Sequence, residues 1–315
     1  MTSNVIFYLY NVIYDDISYT VSYNSDMGGN YMAIDNHDLF TKSIGPKSAN
    51  LIAALYDEGK AIFTTEDASQ ITGLSGNALN VFLGRLAKKG IITKLKTGLF
   101  NIVPSELGSV SVFVSGPVLV AKSIVHQKGM TDGDYYISHG SAFELHQMVT
   151  QPQLSTYCSV TKFFPKENIH GSEIDFLICK KSQIFGVEKF WIGKDKFVQV
   201  SDIERTIIDG FKNPQYCGGI VEVAKGLWIK KDVIDVKKMI NYALVLNIGT
   251  VYRRMGFLLE LFEMSDNSTR ELLEKKLTKS YSLLDPGLLQ EGKFISKWKL
   301  RLNIDPDEIK NAVRT

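Results

Sequence analysis

From residue 35 to residue 104, apolar residues recur at helical spacing, broken by short extended runs. Leu51, Ile52 and Leu55 share one face of residues 48–56, which predicts a first helix. An extended piece is expected over residues 61–64, after Gly59. Thr65 is then placed to cap a second helix, with Glu66 and Asp67 in the first turn, where the helix dipole favours negative charge, and with an end near Gly73. Ser75 caps a longer helix that runs to about Lys89 and is closed by Gly90. Its apolar stripe of Leu79, Phe82, Leu83 and Leu86 turns Asn77, Asn80, Gly84, Arg85 and Lys88 outward. Two strands, 91–95 and 99–102, joined at Lys96-Thr97-Gly98, complete the order expected of a winged helix-turn-helix.

Beyond Pro104 the pattern changes. Residues 106–117, rich in Ser, Gly and Val, are expected to be a connector, and 133–231 mix short strand-like runs with helices. Strands are predicted over 172–179 and 197–200, and a helix over 201–211 capped by Ser201, with Asp202 and Glu204 in its first turn. Further helices are expected over 234–243, 250–264 and 270–284, then an extended run over 297–304 and a short helix opened by Pro306. The fold class expected is α+β. A winged helix-turn-helix over residues 35–106 is followed by a larger mixed α/β domain over 107–315 whose C-terminal part is helical.

Residues 1–34 form an extension. Its apolar run, residues 5–14, has no basic residue before it, is interrupted by Asn11 and runs into Asp15 and Asp16. It therefore lacks the marks of a signal peptide and the length of a membrane span. A flexible arm, an added strand and an upstream start ahead of Met27 or Met32 all remain open for it.

With 44% hydrophobic and 22% charged residues, the 315-residue chain has an ordinary globular composition. A formal net charge of only +2 means that any affinity for nucleic acid must come from local clustering. Such a cluster exists: no acidic residue lies between Asp67 and Glu106, while Arg85, Lys88, Lys89, Lys94 and Lys96 do. That segregation is the footprint of a phosphate-binding surface on double-stranded DNA. Arg85, Lys88, Lys94 and Lys96 are the expected cationic contacts, and Ser75 and Thr97 the neutral ones. Asn77 and Asn80 lie in the first turns of the second helix of the pair, where an amide can bond an adenine edge through both a donor and an acceptor. The bland alternatives are a winged fold used only for protein contact, asparagines that are merely exposed, and Lys89 as a helix C-cap.

Cys158, Cys179 and Cys217 are odd in number and widely spaced, which suggests a reducing cytoplasm and neither a disulfide framework nor a zinc knuckle. Gly171-Ser172 with Asp175 resembles the opening of a nucleotidyltransferase motif, but position 177 is Leu where a second carboxylate is needed to hold magnesium. Glu173, Asp175, Glu188 and Lys189 imitate a nuclease set incompletely, because adjacent strand residues point to opposite faces. His139 and His146 stand seven apart without a further ligand and are expected to be structural, as are Glu204, Arg205 and Asp209, the last two able to pair at i, i+4. No catalytic residue, metal or cofactor is expected.

Several phrases in the chain resemble a known family. They are Tyr136-Ile137-Ser138-His139-Gly140-Ser141-Ala142, the string from Val200 through Glu204-Arg205-Thr206 to Asp209-Gly210, and Tyr216-Cys217-Gly218-Gly219. Arg253-Arg254-Met255-Gly256-Phe257-Leu258-Leu259-Glu260, Leu284-Asp285-Pro286 and Trp298-Lys299-Leu300 continue the match. With the winged-helix segment, this resembles the AbiEi antitoxins of type IV toxin-antitoxin systems, also described as regulators of viral defence. The resemblance implies an N-terminal domain that represses its own operon at inverted repeats. It further implies a C-terminal domain that relieves the toxicity of a nucleotidyltransferase-like partner, with no stable complex required. The rival expectation, from another class, is a metal-dependent nuclease or nucleotidyltransferase targeted by a winged helix.

Overall fold

The computed structural model describes residues 44–107, 110, 112–149, 153–193 and 196–314. The N-terminal extension and its apolar run lie outside the described residues. The chain begins with α1 (Pro46–Asp57), β1 (Ile62–Thr64), α2 (Thr65–Thr72), α3 (Gly76–Lys88), β2 (Ile92–Lys96) and β3 (Leu99–Ile102). Pro46 opens α1 at a position where its missing N–H costs nothing.

The cap of α2 is Thr64 and not Thr65. Thr64 Oγ1 accepts from the Asp67 N–H at 3.1 Å, while Asp67 Oδ2 accepts from the Thr64 N–H at 2.7 Å. A reciprocal box needs its two members three apart, and Thr64 with Asp67 meets that spacing. Gly73, at φ +68°, ends α2 in the left-handed region and turns the chain toward α3. Ser75 stands at the cap position of α3, but its hydroxyl makes no capping bond.

Strands β1, β3 and β2 form an antiparallel sheet in that order, with a bulge between Lys94 and Lys96. Both faces of this small sheet are covered. On one face Phe63, Ile92, Phe100 and Ile102 pack with Leu51 and Leu55 of α1, Ala68 of α2 and Leu79, Leu83 and Leu86 of α3. From the other face Ile62, Leu95 and Leu99 enter a second core with Val120, Ala121 and Ile124 of α4 (Pro117–Gln127). The alternation of neighbours such as Ile62 and Phe63 is the strand period at work. The expected connector does not hang free: the Phe113 N–H donates to Thr93 Oγ1 and the Ser115 N–H to Asn101 Oδ1.

The larger part continues through β4 (Tyr135–Ile137), α5 (His139–Leu145), β5 (Ser155–Val160), β6 (Glu167–Ile169), β7 (Ser172–Ile178), β8 (Val187–Gly193) and β9 (Lys196–Ser201). These strands make one mixed sheet in the order β6-β7-β5-β4-β9-β8. The β5–β7 and β4–β9 pairs are parallel and the remainder antiparallel. A helical layer follows: α6 (Ile203–Lys212), α7 (Ile220–Ile229), α8 (Val236–Leu246), α9 (Gly249–Leu261) and α10 (Asn267–Glu274). Its core gathers Ile207, Ile208, Val223, Leu227, Met239, Val251 and Leu258.

Two expectations fail here. Asp202, not Ser201, caps α6, by accepting from the Arg205 N–H at 2.8 Å; Ser201 is the last residue of β9 and bonds Thr206. The helix expected over 270–284 stops at Glu274. Further along, the Ser282 and Leu284 N–H groups donate to Lys299 O and Arg301 O at 3.1 and 3.0 Å, and a backbone N–H with one hydrogen cannot serve a helix as well. The same stretch is tied to α9, where Arg253 donates to Ser280 O at 2.8 Å and Arg254 to Leu283 O and Leu284 O at 3.1 and 2.9 Å. The chain end is accordingly not wholly helical. Strands β10 (Ser282–Leu283), β11 (Lys293–Ile295) and β12 (Leu300–Leu302) form a third sheet, in the order β10-β12-β11, before α11 (Pro306–Ala312), capped by Asp305. The whole is a mixed α/β fold.

Candidate nucleic-acid interface

Burial of Leu79, Leu83 and Leu86 fixes the rotation of α3. Its opposite side is open: Ser75, Asn77, Asn80, Arg85 and Lys88 are all exposed, with Ala78, Val81 and Gly84 between them. Ser75, Asn77, Asn80, Arg85 and Lys88 make no side-chain hydrogen bond or ion pair among the described residues. Small residues interleaved with amides and two cations leave a low surface that a groove or another backbone can approach closely. No carboxylate belongs to α3.

The hairpin residues are placed differently. Lys94 points to solvent, but its carbonyl accepts from His170 Nε2–H at 3.1 Å. Lys96 is half-buried and turned onto Glu167 of β6, with which it forms an ion pair. Thr97 is exposed, and its carbonyl accepts from Gln127 of α4 at 3.0 Å. The structure thus brings the α3 candidates together on one free face, whereas the hairpin is fastened at three points to the larger part of the molecule. Those three partners lie 30 to 76 residues away in sequence, and nothing in the local pattern announces them.

Most residues of the strings that carry the family resemblance go to the interior. Arg205 is fully buried, with Nε on Asp209 Oδ1 at 3.1 Å, one terminal nitrogen on Gln183 O and Phe185 O, and the other on the Tyr136 hydroxyl at 2.7 Å. That hydroxyl donates in turn to Asp209 Oδ2. Glu204 is pushed up by burial, but Lys238 at 2.8 Å and the Asp235 N–H outweigh this and hold it below the usual carboxylate range. Asp202 also accepts from the Tyr242 hydroxyl at 2.7 Å. The string is therefore a joint between the large sheet, through Tyr136 of β4, and α8.

The other phrases are joints as well. Asp285 Oδ2 accepts from the Ile220 N–H at 2.7 Å, placing a carboxylate at the start of α7 where the dipole favours it. Gly219 sits beside that carboxylate at φ +98°, with no room for a side chain. Gly256 lets the α9 backbone lie against the ring of Trp298, whose indole N–H donates to Glu260 Oε2 at 2.6 Å. His139 shares its Nδ1 with the Ser138 hydroxyl, and burial pulls it down to about 4, so it is neutral near pH 7. His146 Nε2–H donates to Ser201 O at 2.6 Å.

The residues weighed for metal chemistry do not converge. Glu173 and Asp175 share Lys166, at 2.8 and 3.5 Å. Strand β7, which carries them, lies four strand positions from β8 with Glu188 and Lys189, about 19 Å across the sheet at the usual inter-strand spacing.

No family model and no curated protein matches the chain. Among solved structures, the crystal structure of the RV2827C protein from Mycobacterium tuberculosis is similar, with a TM-score of 0.64 over 87% of this chain and 96% of that one, at 11% identity. The fold is thus shared with a solved protein across nearly its whole length.

Proposed function

We propose that residues 44–106 are a winged helix-turn-helix that binds double-stranded DNA, with α3 as the recognition helix and the β2–β3 hairpin as the wing. The observation that carries this reading is the α3 face, where Asn77, Asn80, Arg85 and Lys88 are exposed, unpaired and free of acidic neighbours on their helix. In this reading the first turns of α3 enter the major groove, Asn77 and Asn80 meet base edges, and Arg85 and Lys88 meet phosphates.

The protein then acts as a cytoplasmic transcriptional autorepressor at inverted repeats, and its larger part as an antitoxin against a nucleotidyltransferase-like toxin. Support for the second half of the reading is the AbiEi-like phrases. Their residues build the joints that hold the larger part together, as expected where a resemblance lies in the fold.

Titration of the full chain with duplex DNA from upstream of its own gene, and with a scrambled duplex, tests the repressor. Operator preference that falls steeply with salt is expected. Equal, weak binding to both would overturn it. Co-expression with the nucleotidyltransferase of the adjacent reading frame tests the antitoxin, and growth rescue is the expected result.

A further inference from the structure

A second surface, on the third sheet, carries aromatic rings interleaved with cations. In the pairing of β11 with β12, Phe294 stands opposite Arg301, and in that of β10 with β12, Leu283 stands opposite Arg301. These residues share one face of the sheet, while Leu300, buried, shares the other with Ile295. Tyr281 and Lys299 precede their strands on the same outward face. The Tyr281 and Phe294 rings meet edge to face at 5.1 Å, with Lys299 over Tyr281 at 5.5 Å and Arg301 over Phe294 at 5.2 Å. Phe294 is 61% and Tyr281 41% exposed, and the two rings touch each other, so they form a contiguous aromatic patch and not two scattered residues.

The charge around these rings is one-sided. Residues 275–284 contain Lys275, Lys276 and Lys279 and no acid, and residues 286–304 contain Lys293, Lys297, Lys299 and Arg301 against Glu291 alone. Lys297 is tied to Glu260 and Glu274 of the neighbouring helices. Lys279, Lys293, Lys299 and Arg301 form no ion pair among the described residues. Asp285, the acid between the two stretches, is buried and taken up by the Ile220 and Gly287 N–H groups.

We propose that this face binds an unpaired nucleic-acid strand: bases stack on Tyr281 and Phe294, and Lys299, Arg301 and Lys279 neutralise the phosphates between them. Ring faces are indifferent to base identity, and long basic side chains lying over the rings can swing to a phosphate without repacking the core. A duplex presents no free base faces, so the surface discriminates against the ligand of α3. The inference does not depend on α3 binding DNA.

The test is fluorescence anisotropy of the full chain with labelled dT20, rU20 and a 20-base-pair duplex. Wild type is expected to bind the unpaired strands with a salt-dependent Kd. Tyr281→Ala with Phe294→Ala should weaken that binding about tenfold or more and leave duplex binding unchanged. Lys299→Gln with Arg301→Gln keeps the rings and should flatten the salt slope by about 1.4. Circular dichroism melts show whether each pair folds, and either pair suffices. Failure of wild type to bind either strand, strand binding unchanged in both variants, or parallel loss of duplex binding overturns the proposal. So does a self-association seen by light scattering that the ring variant abolishes, since a second copy would then be what covers the face.

Discussion

Two helices of this protein, α3 and α6, both follow a turn out of neighbouring structure and both carry polar residues at nearly every outward step. Their treatment is opposite. On α6, Asp202, Glu204, Arg205 and Asp209 are buried, and each is held by a named partner. On α3, Asn77, Asn80, Arg85 and Lys88 are exposed and have none. The more distinctive string in the sequence is therefore the internal scaffold, and the plainer one is the free surface. Residue types that look chemically charged with purpose serve packing when their partners lie inside the chain.

The sharpest test of that contrast is Arg205→Ala. It leaves Asp209 as an uncompensated buried charge and strips a donor from Gln183 O and Phe185 O, so a loss of about 3–5 kcal/mol in urea unfolding is expected. Replacing Arg205 and Asp209 together with apolar residues should recover much of the loss. A silent Arg205→Ala would place α6 with α3 as a free surface.

On α3 the expected effects are smaller and fall on binding. Asn80→Ala should reduce discrimination between operator and scrambled duplex by about 1–3 kcal/mol without lowering the melting temperature. Lys88→Ala should weaken both duplexes alike and reduce the salt slope by about 0.9. If Asn80→Ala lowers both affinities equally while Lys88→Ala removes the preference, the helix docks in the reverse orientation.

The smallest effect concerns the hairpin. Glu167→Gln frees Lys96 from its half-buried ion pair, and duplex affinity should rise by about 1 kcal/mol or less, since the gain is a single phosphate contact. A fall in affinity would mean that the pair positions the hairpin and does not restrain it.

Sequence patterning located α1 to β3 within a residue or two, because each of those elements is set by local signals: Leu51 and Leu55 on one face, Gly73 at a left-handed turn, Gly98 at the hairpin. It also placed Asn77, Asn80, Arg85 and Lys88 correctly on the outside. It missed one local choice, because Thr64 and Thr65 are equivalent as caps until the three-residue spacing to Asp67 selects one. Elsewhere it failed where distant residues decide. Residues 278–284 have a helical pattern, but the Ser282 and Leu284 N–H groups pair with Lys299 O and Arg301 O instead. Lys96 reads as a free cation until Glu167, 71 residues on, closes over it.

The small sheet of β1, β2 and β3 belongs to two cores at once, with Phe63 and Phe100 on one side and Ile62 and Leu99 on the other. Separating residues 44–106 from the remainder would bare Ile62, Leu95 and Leu99 to water, and neither half can lose its shape without cost to the other. Melting should then follow a single cooperative transition. Any ligand bound on α3 would then raise the unfolding temperature of the entire chain by mass action, so occupancy at one end counts as stability at the other.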